Sequence, residues 1–260
     1  MRVQMKPGSL ALIFFTFCAA SLLSGGALSG RQQSLVQQEV ALIQQASKYF
    51  QAKDYANAIQ TYKSVIALNP KMAAPYGGLG NVYMAQGQYQ MAVAAYKQYF
   101  VSGVPDPQTY VSLGDAYFNL QQYDQAISTY QTCMANLPPN SDLATGQLYK
   151  RIGDAYAFNK QYANAIAALQ KSLQLDSPND GTTYDLGVAF AAAGQKTEAT
   201  QIYQQLQGSN KDLAQKFYTQ ITSGTAPKFT PPQPGAAQPG NTPAQPISAP
   251  PKPATNKNSL

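Results

Sequence analysis

The 260-residue sequence has no histidine, no tryptophan and only two cysteines. Without histidine, the commonest general base and metal ligand near neutral pH is missing. Cys18 lies in an N-terminal apolar run and Cys133 stands alone, so no disulfide framework can form. Cys133 falls on the apolar face of a helix pattern and is expected to be a small buried core residue. The sequence contains no Gly-rich phosphate loop, no nucleophile elbow and no cysteine pair at metal-ligand spacing. Charge is scarce as well: 12% of residues are charged, about half the usual share. The formal net charge of +6 comes from Arg2, Lys6, Arg31, Lys228, Lys252 and Lys257, all near the ends, while 39–223 carries 12 Lys/Arg against 12 Asp/Glu. A nucleic-acid surface needs cations clustered on one face. These absences lead to the expectation of no enzyme, no catalytic or metal-binding residue, no cofactor and no nucleic-acid partner.

The two ends differ from the middle. Residues 1–30 read as an export signal or an N-terminal membrane anchor. Arg2 and Lys6 are followed by an apolar run from Leu10 to Leu23, and Ala27, Leu28 and Ser29 offer a signal-peptidase site before Gly30. Uncleaved, residues 10–30 approach the length of a membrane span and could associate with a membrane. Cys18 follows Phe15, Thr16 and Phe17, without the small residue that precedes a lipidated cysteine. In either case the rest of the chain is expected outside the cytoplasm, in the periplasm or cell envelope. At the other end, 224–260 holds ten of the 18 prolines and no acidic residue. Such a segment buries too little apolar surface to offset its ordering entropy, which predicts a disordered Pro-rich tail.

Between the ends one pattern recurs. Leu113, Gly114 and Tyr117 are followed by Tyr123, Ala126 and Tyr130; Leu79, Gly80 and Tyr83 by Tyr89, Ala92 and Tyr96; Ile152, Gly153 and Tyr156 by Tyr162, Ala165 and Leu169. Ala46 and Tyr49 lead to Tyr55, Ala58 and Tyr62, and Leu186, Gly187 and Phe190 to Ala199 and Tyr203. The small residues Ala46, Gly80, Gly114, Gly153 and Gly187 are spaced by 34, 34, 39 and 34. A fixed period of this size predicts stacked helical hairpins. The Gly and Ala of each unit, Gly114 with Ala126 for example, are expected to let its two helices cross closely. The tyrosines at the repeating aromatic places are expected to be core.

The pattern resembles the tetratricopeptide repeat, whose 34-residue helix–turn–helix unit carries Trp, Leu-Gly, Tyr, Ala, an aromatic and a closing Pro at these spacings. Tyr76, Tyr110 and Tyr149 stand where that family often has Trp. The resemblance implies an all-α, right-handed superhelical solenoid over 31–223. Its repeats would be 39–72, 73–106, 107–140, 146–179 and 180–208, with a capping helix over 209–222 that sets Leu213, Phe217 and Ile221 against the end of the stack. Residues 31–38 are expected to lengthen the first helix, Leu35 and Val36 joining Leu42 and Ile43. The five extra residues lie in the Pro138–Asp142 loop.

By the same resemblance the first helix of each unit lines a concave groove. The lining maps onto Ile43, Ser47 and Phe50; Asn81 and Met84; Val111, Asp115 and Phe118; Lys150, Asp154 and Phe158; and Tyr184 and Val188. Asp115 and Asp154 hold the same place in adjacent units, expected about 8–10 Å or more apart. They are read as a solvated polar lining. Family members that grip acidic tails use Lys, Arg and Asn on successive first helices. Here Asn81 could stand at such a place, but Ser47, Gln108 and Ser112 stand where the other gripping residues would be needed, so that grip is not expected. Apolar and aromatic lining points instead to a protein partner, an amphipathic helix or an apolar extended segment. The resulting expectation is a non-catalytic scaffold or assembly factor of the cell envelope, similar in kind to pilus- and secretion-system assembly factors. The alternatives are a non-catalytic subunit of a cell-wall enzyme, or a tether acting through its Pro-rich tail.

Overall fold

The computed structural model describes residues 30–103, 106–137, 145–176, 179–223 and Phe229. Among the described residues there are eleven α-helices and no strand. They are α1 (Gly30–Gln51), α2 (Tyr55–Leu68), α3 (Ala74–Ala85), α4 (Tyr89–Ser102), α5 (Pro107–Asn119), α6 (Tyr123–Ala135), α7 (Thr145–Phe158), α8 (Tyr162–Leu175), α9 (Asp180–Ala192), α10 (Lys196–Ser209) and α11 (Lys211–Thr222). The export-signal reading, the Pro138–Asp142 insertion and, apart from Phe229, the Pro-rich tail lie outside the described residues. No described helix is long and apolar enough to cross a membrane.

Five hairpins, from α1/α2 to α9/α10, close with one shared turn. The residue at its centre is Lys53, Gly87, Gln121, Lys160 or Gly194, each with φ between 59° and 78°. Around Gln121, its own N–H donates to the Phe118 carbonyl at 2.8 Å and the next N–H to Tyr117 at 2.9 Å; the other four turns repeat this double closure. This is a Schellman cap, which satisfies the last carbonyls of the first helix and requires a left-handed residue. Asp54, Asp106, Asn179 and Asn210 cap the starts of α2, α5, α9 and α11 by accepting from the N–H three residues on.

The hairpins stack in chain order, each helix packing on the next. The first helices also approach one another directly: α1 meets α3, α3 meets α5, and α7 meets α9. Among the described residues, the second helices α2, α4, α6 and α8 make no comparable approach. The stack therefore curves with the first helices on its inner side. Three overlapping apolar clusters run its length without a break.

Two expectations about the ends need correction. Helix α1 does extend through residues 31–38, yet Leu35 and Val36 are exposed, because nothing described packs beside that overhang. Helix α11 covers the last hairpin through Ala214 and Phe217, with Leu213 half-buried, while Ile221 is exposed. Its apolar stripe ends one turn earlier than the i, i+4, i+8 spacing implied, and in that last turn Gln220 makes the contact by accepting from the Tyr184 hydroxyl.

Candidate functional site

In the second and third hairpins the small residue makes room for a ring. A Cβ at Gly80 would run into Tyr96, and one at Gly114 into Tyr130, well inside van der Waals contact. The nearest neighbour of each of these glycines is thus a tyrosine ring, and Ala92 and Ala126 are fully buried in the same hairpins. With its ring lying across the glycine, the tyrosine carries its hydroxyl to the residue that follows. Tyr96 donates to Asn81 Oδ1 at 2.8 Å and Tyr130 to Asp115 Oδ1 at 2.6 Å. In the first hairpin the hydroxyls of Tyr62 and Ser47 lie 3.2 Å apart. Three successive hairpins therefore carry the same polar rung between their helices, fifteen residues apart in sequence.

The fourth hairpin breaks the series. Leu169 takes the tyrosine's place, its Cγ 2.7 Å from where a Gly153 Cβ would stand. Asp154, in the place of Asp115, is 1% exposed, and its Oδ1 has no hydrogen-bond partner among the described residues. Its Oδ2 is held by Lys150 Nζ at 2.8 Å, and the same ammonium reaches Asp185 Oδ2 at 2.8 Å on α9. Arg151 Nη2 lies 3.5 Å from Asp115 Oδ2. The inner row thus carries three buried carboxylates and two partly covered cations.

Burial sets the electrostatics. Lys150 would lose its proton more readily through desolvation, but Asp154 and Asp185 overcome this and hold its ammonium above the usual value. Burial lifts the Asp154 carboxyl from 3.8 to about 7; Lys150 pulls the other way and Asp185 adds to the rise. Burial and the neighbouring Asp115 charge push Tyr130 well above 10. The Cys133 thiol is buried against the Pro107 carbonyl at 3.3 Å, and desolvation raises it to about 11. It is a packed core residue rather than a nucleophile.

The ten residues mapped to the groove divide in two. Phe50, Asn81, Met84, Lys150 and Phe158 are half-buried and remain reachable. Ile43, Val111, Asp115, Phe118 and Asp154 are buried, which corrects the expected open lining. Tyr184 and Val188 are also buried, Tyr184 with its ring 5.8 Å from Phe217 of the covering helix. The physical reason is enclosure by the second helix and the next hairpin: Tyr130 and Arg151 close over Asp115. Phe118 packs edge-on against Phe158 at 5.0 Å and Tyr123 at 5.3 Å. Asp115 and Asp154 are not a solvated lining, since both are enclosed and ion-paired. The tyrosines divide similarly: Tyr62, Tyr83, Tyr96 and Tyr130 are buried, whereas Tyr55, Tyr89, Tyr123 and Tyr162 are half-buried at the hairpin turns.

Arg151 and Asp185 escaped the sequence reading. The signal available was Lys150, four residues before Asp154 on one helix face, together with the loss of the tyrosine at Leu169. Among the described residues no group of three or more His, Cys, Asp or Glu side chains could hold a metal.

Two models of the tetratricopeptide repeat match this chain, one over 49–108 and 159–221 and the other over 106–177. No curated protein matches it. Among solved structures, YrrB, described as a TPR protein with an unusual peptide-binding site, superposes with a TM-score of 0.61 at 18% identity, over 74% of this chain and 100% of its own. MamA from Desulfovibrio magneticus RS-1 superposes at 0.55 and 18% identity, over 71% and 94%. PilF of Pseudomonas aeruginosa superposes at 0.54 and 14% identity, over 74% and 95%. At these identities the structures speak for the fold, and the repeat models for membership: the chain belongs to the tetratricopeptide-repeat family.

Proposed function

We propose that this chain is a non-catalytic scaffold that holds a segment of a partner protein along the inner row of first helices. The observation that carries this reading is the row itself. Phe50, Met84 and Phe158 remain half-buried on successive parts of a face whose other side chains are locked, with Asn81 and Lys150 between them. Such a face offers apolar contacts at fixed spacing, with few polar groups to set register. It suits an amphipathic helix or an apolar extended segment. The peptide-binding site named for YrrB, a protein of the same fold, supports a peptide ligand. The N-terminal apolar run behind Arg2 and Lys6 supports a place in the cell envelope, where the scaffold would serve assembly.

The test is complementation of a deletion strain. Phe50→Glu combined with Met84→Glu places charges on the row without touching the tyrosine rungs, and circular dichroism verifies the helical fold. Loss of function in this variant, with function kept in Val101→Glu on an exposed site outside the row, supports the scaffold. Full function in the row variant, with loss on removal of 224–260, would transfer the role to the tail.

A further inference from the structure

Of the residues after Ser223, Phe229 alone is described, and it is half-buried. Its ring lies 6.3 Å from that of Tyr162, stacked at 21°, and 5.9 Å from that of Phe158. Behind it, Phe158 packs on Phe118 at 5.0 Å and on Tyr123 at 5.8 Å. Five rings therefore form one continuous group. Four are fixed at the turns of the third and fourth hairpins, and the fifth comes from outside the helical stack. Ring pairs at these separations add attraction beyond the apolar area they cover.

The sequence around Phe229 suits insertion by side chain alone. Pro227 precedes it by two residues, and Pro231 and Pro232 follow. Prolines remove backbone donors and favour an extended chain, so little entropy is lost on docking and no strand pairing is needed. Five residues lie between Ser223 and Phe229, and the six steps can span roughly 20 Å when extended.

We propose that Phe158 and Tyr162 form a receptor for an aromatic side chain on a proline-flanked extended segment, and that Phe229 of the same chain is its resident occupant. A partner segment entering this end of the row must displace Phe229, so the tail competes with the partner. The inference deepens the scaffold reading by naming an anchor chemistry and a built-in competitor. An occupant tethered by a short linker acts at an effective concentration in the millimolar range. Weak partners would be excluded, and a partner with a better aromatic anchor would be admitted.

The chain has no tryptophan, so Phe229→Trp in the full chain gives a single reporter. Its emission is expected at short wavelength, as for a covered indole, and independent of protein concentration. Phe158→Ala or Tyr162→Ala, added to that chain, should shift it to the emission of exposed indole while the helical circular dichroism persists. In a second measurement, a synthetic peptide of residues 225–234 should bind the full-length Phe229→Ala variant on the order of tenfold or more tightly than the unaltered chain. Exposed emission in the Phe229→Trp chain would overturn the proposal, as would equal peptide binding by the two chains. Short-wavelength emission that is lost on dilution would also overturn it, assigning the receptor to a second copy. Neither measurement uses the partner: failure here leaves the scaffold reading standing, and failure of the row variants leaves this contact standing.

Discussion

Tyr130 lies across Gly114 and donates its hydroxyl to Asp115 at 2.6 Å, whereas Leu169, in the matching position across Gly153, leaves Asp154 Oδ1 without a hydrogen-bond partner among the described residues. The rung that ties the third hairpin together is therefore replaced in the fourth by charge. Lys150 spans Asp154 and Asp185 and links the fourth hairpin to the fifth. A buried ion group of this kind adds little net stability when intact, but it is costly to break by removing one member.

Lys150→Met should therefore leave two enclosed carboxylates facing each other and cost about 3–5 kcal/mol at neutral pH. The loss should shrink as the pH falls and the carboxylates take up protons. Urea denaturation at neutral and at acid pH measures both. An equal loss at the two pH values would mean that the stem of Lys150, rather than its charge, does the packing.

The raised Asp154 carboxyl gives its own signature. Its folded value of about 7 lies above the ordinary 3.8, so the folded state keeps a proton that the unfolded state releases. This group's contribution is fully present below about pH 4 and is lost as the pH rises toward 7. Stability measured across that window should fall less with rising pH in Asp154→Asn than in the unaltered chain. The buried tyrosines act at the alkaline end. Desolvation raises Tyr62, Tyr96 and Tyr130 above 10.0, so their contribution is lost as the pH climbs past that value. Phenolate absorbance from these rings should then rise together with unfolding.

The glycine–tyrosine crossing predicts opposite outcomes at two glycines. Gly114→Ala sets a methyl into the Tyr130 ring, which is pinned by Asp115 and cannot swing away. A loss of about 1–3 kcal/mol is expected from overpacking. Gly208 in α10 has nothing within 4 Å of a new Cβ. There, alanine should gain about 0.5–1 kcal/mol by reducing the freedom of the unfolded chain. Thermal melts of the two variants distinguish them by sign.

The turns offer a similar contrast. Gln121 holds φ of 60° where Gly87 and Gly194 fill the equivalent place. Gln121→Gly should stabilise by up to about 1 kcal/mol by relieving the left-handed strain, and Gly87→Ala should destabilise by a comparable amount. Chemical denaturation of both variants is the measurement.

Much of this architecture is legible in the residues. The spacing of Gly80, Gly114, Gly153 and Gly187 locates the hairpins because one contact, a large side chain lying where the glycine has none, recurs at all four: Tyr96, Tyr130, Leu169 and Ile202. The same spacing reappears in the turn residues Lys53, Gly87, Gln121, Lys160 and Gly194, although only two are glycine, so the turn chemistry alone would have missed three. The openness of the inner row was not legible. Whether Phe118 or Val111 faces solvent depends on how closely one hairpin sits on the next, a distance that periodicity within a hairpin does not encode. Asp115 and Asp154 hold the same place in adjacent units, and both are ion-paired; the residue fifteen positions later, Tyr130 or Leu169, decides whether a hydroxyl also reaches the carboxylate, and Lys150 stands four residues before Asp154 where Val111 precedes Asp115. Nothing in the pattern of the tail marked Phe229, because its partners belong to hairpins far away along the chain.

The scaffold reading is tested most directly by placing a photo-crosslinking amino acid at Met84, half-buried on the inner row, and illuminating intact cells. The expected result is an adduct with one discrete protein that disappears when Phe50 or Phe158 is changed to Glu in a chain of unaltered helical content. Adducts absent at Met84 but formed from a probe near Pro232 would contradict it and place the working surface in the tail.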